Sequence, residues 1–214
     1  SDLGSGFNIA MQDLDIRGAG NLLGAEQSGF ITEMGFETYQ KILGEAMEEL
    51  GVETGMNLRS ERSLFVTECT IETDQPAHIP DSYLDITAEK IRIYRSIDSM
   101  SSDKEIDNYA ARLEDRFGSL PDEVRNLFLV VKIRNRGAAL GFEKIIIKNG
   151  IMIGFFVSNP MSPYYKSEVF EKVMGRISAM EGKVELKQVE NKLKIVSRGV
   201  PSLAAAFNIL NSIS

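Results

Sequence analysis

Sulfur and imidazole are nearly missing from this chain: 214 residues hold one cysteine, Cys69, and one histidine, His78. A lone cysteine cannot close an internal disulfide, which suits a reducing cytoplasm. Cys69 ends the alternating run Leu64-Phe65-Val66-Thr67-Glu68-Cys69, where it reads as a small buried apolar side chain and not as a nucleophile. One Cys and one His cannot build a zinc site. They also leave no Ser-His or Cys-His pair unless these two meet in space, so no catalytic residue and no metal ligand is assigned.

Long apolar runs are missing too. No window approaches about eighteen consecutive apolar residues, so no membrane partner is expected. The start, Ser1-Asp2-Leu3-Gly4, carries neither a basic region nor an apolar run; no signal peptide is expected, and the expected location is cytoplasmic. A first residue other than Met fits a piece of a longer protein and a processed start equally.

Positive charge is scarce in the first part. Residues 1–60 hold three basic residues, Arg17, Lys41 and Arg59, against ten acidic ones, while the remainder has 21 of each. Phosphate neutralisation drives nucleic-acid affinity, so an isolated nucleic-acid binder is usually basic. This chain is not. Contact with DNA would need one or two residues acting inside a larger machine.

What is present has two grammars. In residues 6–16, Phe7, Ala10, Met11 and Leu14 make the stripe of a short amphipathic helix, stopped by Gly18 and Gly20. Residues 36–50 place Phe36, Tyr39, Leu43, Met47 and Leu50 on one face of a longer helix. Residues 51–62 show no period and contain two glycines, so they read as a linker.

From residue 63 the pattern changes. A strand is expected over 63–72, then a turn region between Pro76 and Pro80 and a helix over 87–100. Ser102 with Glu105 has the form of a capping box for a helix running to Arg116, with Gly118 as its stop. Pro121 opens the next helix, whose core face is Val124, Leu127, Phe128 and Val131 and whose end is Gly141. Two β-branched runs flank Asn149-Gly150, a strong hairpin signal because both turn positions need positive φ. A helix over 166–180, a second hairpin about Glu190-Asn191 and a terminal helix after Pro201 complete the pattern. The expected fold class is α+β. A helical hairpin and long helix occupy 1–50, a linker 51–62, and helices packed on a small antiparallel sheet 63–214.

Gly18-Ala19-Gly20-Asn21-Leu22-Leu23-Gly24 looks superficially like a phosphate loop. Three residues separate its second and third glycines where a dinucleotide loop has two, and it lacks the Gly-Lys-Ser/Thr ending of a triphosphate loop. These glycines are better explained by a hairpin turn and a loop that passes close to another surface.

Gly6-Phe7, Ile9-Ala10, Asp13-Leu14, Ile16-Arg17-Gly18, Gly20, Leu22-Leu23-Gly24 and Gln27-Ser28-Gly29 resemble the translocation motif shared by RecG-type branched-DNA helicases and bacterial transcription-repair coupling factors. Ala19 is more like the coupling factors. So are Pro80-Asp81-Ser82-Tyr83, Arg92-Ile93-Tyr94-Arg95, Asp115-Arg116-Phe117-Gly118 and Leu120-Pro121-Asp122, since RecG-type proteins end soon after the motif.

The resemblance implies the C-terminal part of an ATP-driven double-stranded DNA translocase that displaces stalled RNA polymerase and recruits the excision-repair protein UvrA. ATP and Mg would belong to motor domains elsewhere in such a parent, and no cofactor is expected in this chain. Asp13, Arg17, Gly18, Gly20, Gly24, Gln27 and Gly29 match the motif, in which Arg17 and Gln27 would link hydrolysis to movement. An arginine suits that task because its rigid fork can hold two acceptors and exchange them as domains shift. The alternative is that Arg17 only pins its own hairpin to Asp13 or Asp15.

The domain from 63 would act as a clamp that hides the UvrA-binding module, through Arg112, Glu114, Asp115, Arg116 and Phe117. One position departs from the family pattern: an acid is common where Arg112 stands, so the usual salt bridge there cannot form. Two further readings stay open. One is a free-standing protein-binding adaptor whose first fifty residues are an oligomerisation hairpin, and the other is a small enzyme using scattered carboxylates.

Overall fold

The computed structural model describes residues 65–214. The expected N-terminal hairpin, long helix and linker, and with them every residue of the translocation motif, lie outside the described residues. Two compact units are present, divided between Phe128 and Leu129.

The first unit holds residues 76–128. Helix α1 spans Thr87–Ser99, α2 spans Asp103–Phe117, and α3, Asp122–Leu140, begins here. Both boundaries of α2 have a local cause. Ser102 Oγ accepts the backbone N–H of Glu105 at 3.1 Å, so the serine half of the capping box forms. Gly118, at φ +94°, ends α2 in a conformation that side chains resist. Ile93, Tyr94, Ile97, Ile106, Leu113, Val124, Leu127 and Phe128 are buried, as the helical spacing requires.

The second unit holds residues 65–75 and Leu129–Ser214. Its sheet has five strands in the order β1-β2-β3-β5-β4: Thr70–Thr73, Phe142–Lys148, Ile151–Phe156, Lys192–Arg198 and Glu185–Val189. Helix α4 spans Glu168–Ala179, preceded by a 3₁₀ turn at Pro163–Lys166, and α5 spans Leu203–Ser212. Both expected hairpins form. Asn149 and Gly150 sit at φ 55° and 72°, and Glu190 at φ 56°.

The α+β class holds, but the sheet is mixed. β1 runs parallel to β2, with Ile71 opposite Ile145, while the other three pairings are antiparallel. The physical reason lies in the connection. Sixty-odd residues carrying three helices separate β1 from β2, and a crossover of that kind permits the parallel arrangement that a short hairpin forbids. β1 is also shorter than expected, starting at Thr70. Cys69, just before it, is wholly buried, as a small apolar residue would be.

One face of the sheet carries the core: Ile71, Ile145, Met152 and Ile195 are at most 1% exposed. An aromatic cluster of Phe142, Phe156, Tyr164, Tyr165 and Phe170 adjoins it. Tyr164 is fully buried and donates its hydroxyl to the carbonyl of Leu140. Burial pushes its phenol well above the ordinary value near 10, and the neighbouring Tyr165 adds to this.

The raised folded-state value sets a sign. The uncharged phenol is the form the core accepts, so its stabilising contribution is complete below pH 10 and is lost as pH rises from 10 towards the folded-state value. Unfolding monitored by near-ultraviolet circular dichroism should therefore show stability falling above pH 10. Tyr164→Phe should cost about 1 kcal/mol at neutral pH through the lost hydrogen bond and should flatten the alkaline decline. An equally steep decline in the variant would assign the alkaline sensitivity elsewhere.

Candidate functional site

The carboxyl end of α2 carries Arg112, Glu114, Asp115, Arg116 and Phe117, and the first unit is built so as to present it. Only Leu113 of the segment 112–116 is buried, and it anchors the helix. Phe117 is half-buried, with its ring 6.3 Å from that of Tyr83 in an edge-on arrangement. The Tyr83 hydroxyl donates to the carbonyl of Gly118 at 3.0 Å, with the carbonyl of Leu113 at 3.4 Å beside it. The Tyr83 hydroxyl thus ties down the C-cap residue that follows α2. Burial raises the Tyr83 pKa, and the negative charge of Glu114 raises it further, so the hydroxyl keeps the proton it donates.

Tyr83 is itself held from below. Lys90 is 0% exposed, and its Nζ lies 2.6 Å from Oδ1 of Asp81. Tyr83 and Leu84 turn back to donate their N–H groups to the Pro80 carbonyl, and Tyr94 Oη accepts the N–H of Ile79 at 2.8 Å. These bonds explain Pro80-Asp81-Ser82-Tyr83 and Arg92-Ile93-Tyr94-Arg95 as parts of one scaffold. Reading the chain did not single out Tyr83, Glu89 or Lys90 as functional. The available signal was the short spacing from Asp81 to a lysine on the next helix.

The charges of the segment are unevenly engaged. Arg116 approaches Oε1 of Glu89 at 3.5 Å, an oxygen that Arg92 also meets at 3.3 Å, and its guanidinium lies 4.8 Å from the Phe117 ring centre. Arg112 lies over the Tyr109 ring at 5.5 Å. Glu114 and Asp115 make no ion pair among the described residues and are exposed. Arg112 and Asp115, three apart, share the outer face of α2 with the exposed Asn108 and Ala111. All four charged side chains are thus exposed, but each arginine has a partner within the unit whereas the two acids have no ion-pair partner among the described residues. Chemically this is an exposed rim of mixed charge whose two acids are open to a basic group, and it contains no nucleophile–base pair.

Among the described residues no group of His, Cys, Asp or Glu could hold a metal ion, and no helix is long and apolar enough to cross a membrane.

Comparison with known proteins adds three findings. The model of the TRCF domain family matches residues 73–167. Curated transcription-repair-coupling factors are similar in sequence. The protein from Bacillus subtilis is 43% identical over 134 residues, covering 63% of this chain and 11% of that protein. The one from Rickettsia bellii is 34% identical over 197 residues, covering 92% and 16%. The one from Escherichia coli is 31% identical over 191 residues, covering 89% and 16%. The chain thus spans roughly a tenth to a sixth of the relatives it matches. Among solved structures, the C-terminal domain of a transcription-repair coupling factor matches with a TM-score of 0.57 at 17% identity, covering 68% of this chain and 91% of that one. That last likeness concerns the fold.

Proposed function

The chain belongs to the transcription-repair coupling factor family, and from that premise we propose that residues 65–214 are the regulatory end of a DNA-repair translocase. In this reading the domain covers the module through which the parent binds UvrA and releases it when the motor engages DNA. The parent uses ATP and Mg in its motor domains to move on double-stranded DNA and to displace stalled RNA polymerase. The present chain hydrolyses nothing. Residues 13–29 form the coupling motif, with Arg17 and Gln27 transmitting motion.

The observation that supports a clamp is the pair of exposed acids, Glu114 and Asp115, with no ion-pair partner among the described residues, at a helix end whose exposed arginines each have a partner in the unit. A charged rim of this kind contributes little energy per pair and mainly sets partner choice. Arg112 is part of the same face as Asp115 and stands where the family resemblance implies an acid. An exchanged pair, with an acid on the covered module opposite Arg112, accounts for the substitution.

Removing residues 65–214 from the parent is expected to raise its UvrA affinity by about five- to 150-fold, the usual range for coupled sites. Asp115→Arg should recover only part of that gain. Arg112→Glu should also loosen the clamp, because it would set an acid against an acid. Titration of UvrA onto immobilised parent variants gives all three values. No gain on deletion would refute the clamp, and a gain on deletion without one for Arg112→Glu would refute the exchanged pair alone.

A further inference from the structure

The sheet of the second unit has a second face, and its pattern is different from the core. Residues directly opposite in a ladder share a face, so the register reads across the strands in rows. The middle row is apolar: Ile146 opposite Ile153, and Ile153 opposite Val196. On one side of it lie Lys144, Phe155, Lys194 and Lys187 in register. On the other side lie Lys148, Ile151 and Arg198. Five cations thus flank an apolar stripe. Two acids, Glu72 and Glu185, stand at the ends of the middle row and engage Lys144, Lys148 and Lys187. Lys194, near the Phe155 ring at 5.9 Å, and Arg198 make no ion pair among the described residues. Ile146, Ile151, Ile153 and Phe155 remain partly exposed, whereas the opposite face is closed.

We propose that this face is a docking surface for an acidic amphipathic helix of a partner protein. Spacing and charge both select it. Alternate residues on a strand are roughly 7 Å apart, so the two cation rows stand roughly 14 Å apart across the stripe. An α-helix with its side chains is about 10–12 Å wide. Laid along the stripe, it would set its apolar face on the partly exposed Ile146 and Ile153, beside Val196 at 6% exposure, and its flanking carboxylates against Lys194 on one side and Arg198 on the other. A nucleic acid fits the same charges less well. Duplex phosphates would desolvate the isoleucines without offering apolar contact, and single-strand stacking wants several aromatic platforms where this face has one.

The test uses the full 214-residue chain. The first probe is a labelled synthetic helix of leucine, alanine and glutamate, with leucines on one face and glutamates flanking them. The others are a scrambled peptide of the same composition, oligothymidine and a short DNA duplex. Fluorescence anisotropy reads binding, and methyl NMR of Ile146, Ile151 and Ile153 reads location. The patterned helix is expected to bind, to shift these methyls, and to lose roughly tenfold in affinity in the Lys194→Glu, Arg198→Glu double variant. Equal binding of the scrambled peptide would reduce the face to plain charge attraction and overturn the proposal. So would oligonucleotide binding with the same methyl shifts and none from the helix, self-association of the chain through these methyls, or the absence of any shift with the patterned helix.

Discussion

Asp81→Ala is expected to lower the unfolding free energy of the chain by about 3–5 kcal/mol, whereas Lys90→Met should cost no more than about 1–2 kcal/mol. The two substitutions remove the same ion pair, and the asymmetry follows from where its members sit. Lys90 is 0% exposed, while the Asp81 side chain is 27% exposed. Removing the aspartate leaves the ammonium buried without the carboxylate 2.6 Å away that balances its charge. Removing the lysine leaves a carboxylate that already reaches water, and a methionine of similar shape fills the space.

The effect should travel to the candidate site. Asp81 lies two residues before Tyr83, whose hydroxyl caps the end of α2 at Gly118. Urea unfolding of both variants gives the energies, and Tyr83 ring resonances report the site. Comparable losses from the two substitutions would mean that the pair contributes through packing and not through charge.

Gly141→Ala is the second large effect expected, about 2–5 kcal/mol. Gly141 ends α3 at φ +98°, where a side chain is strained by about 1–2 kcal/mol. Space is the larger difficulty. A Cβ at this position would stand 2.1 Å from the Tyr164 ring, which is itself fully buried among Phe156, Tyr165 and Phe170. The ring cannot retreat without giving up its hydrogen bond to the Leu140 carbonyl, and overpacking of this kind costs about 1–3 kcal/mol more. A double variant, Gly141→Ala with Tyr164→Leu, should recover part of the loss relative to the sum of the two single changes, because the clash is shared. Thermal unfolding of the four proteins closes that cycle. Strict additivity would show that the strain is in the backbone alone.

The two cases differ in how far they could be read from the chain. Gly141 as a helix stop was visible, because helices so often end on glycine. Its contact with Tyr164 was not, because twenty-two residues lie between them and no periodicity links a helix end to a 3₁₀ turn. Asp81 stood in a motif that could be quoted and Lys90 did not, and lysines are almost never fully buried unless paired, so its burial is decided only by the residues packed around it.

The candidate clamp divides in the same way. Exposure of Asp115 and burial of Leu113 follow from helical spacing, and Gly118 marks the end of α2. That Arg116 is held by Glu89 and Arg112 by Tyr109 required the fold for Glu89, which lies on another helix, and only local spacing for Tyr109.

By itself the sequence determined the α+β class, the boundaries of the helices from residue 87 onward, both hairpin turns, the buried Cys69, and a family likeness carried by quoted motifs. All of these depend on interactions within a few residues: apolar spacing, caps, and turn positions that demand positive φ. Tertiary structure alone decided that β1 joins the sheet parallel to β2, that Asp81 neutralises a buried lysine, and that the second face of the sheet sets cations on either side of an apolar stripe. The physical reason is distance along the chain. Strand order and register are chosen by which surfaces bury best once the helices between them are folded, and that choice leaves no local mark on the residues it joins.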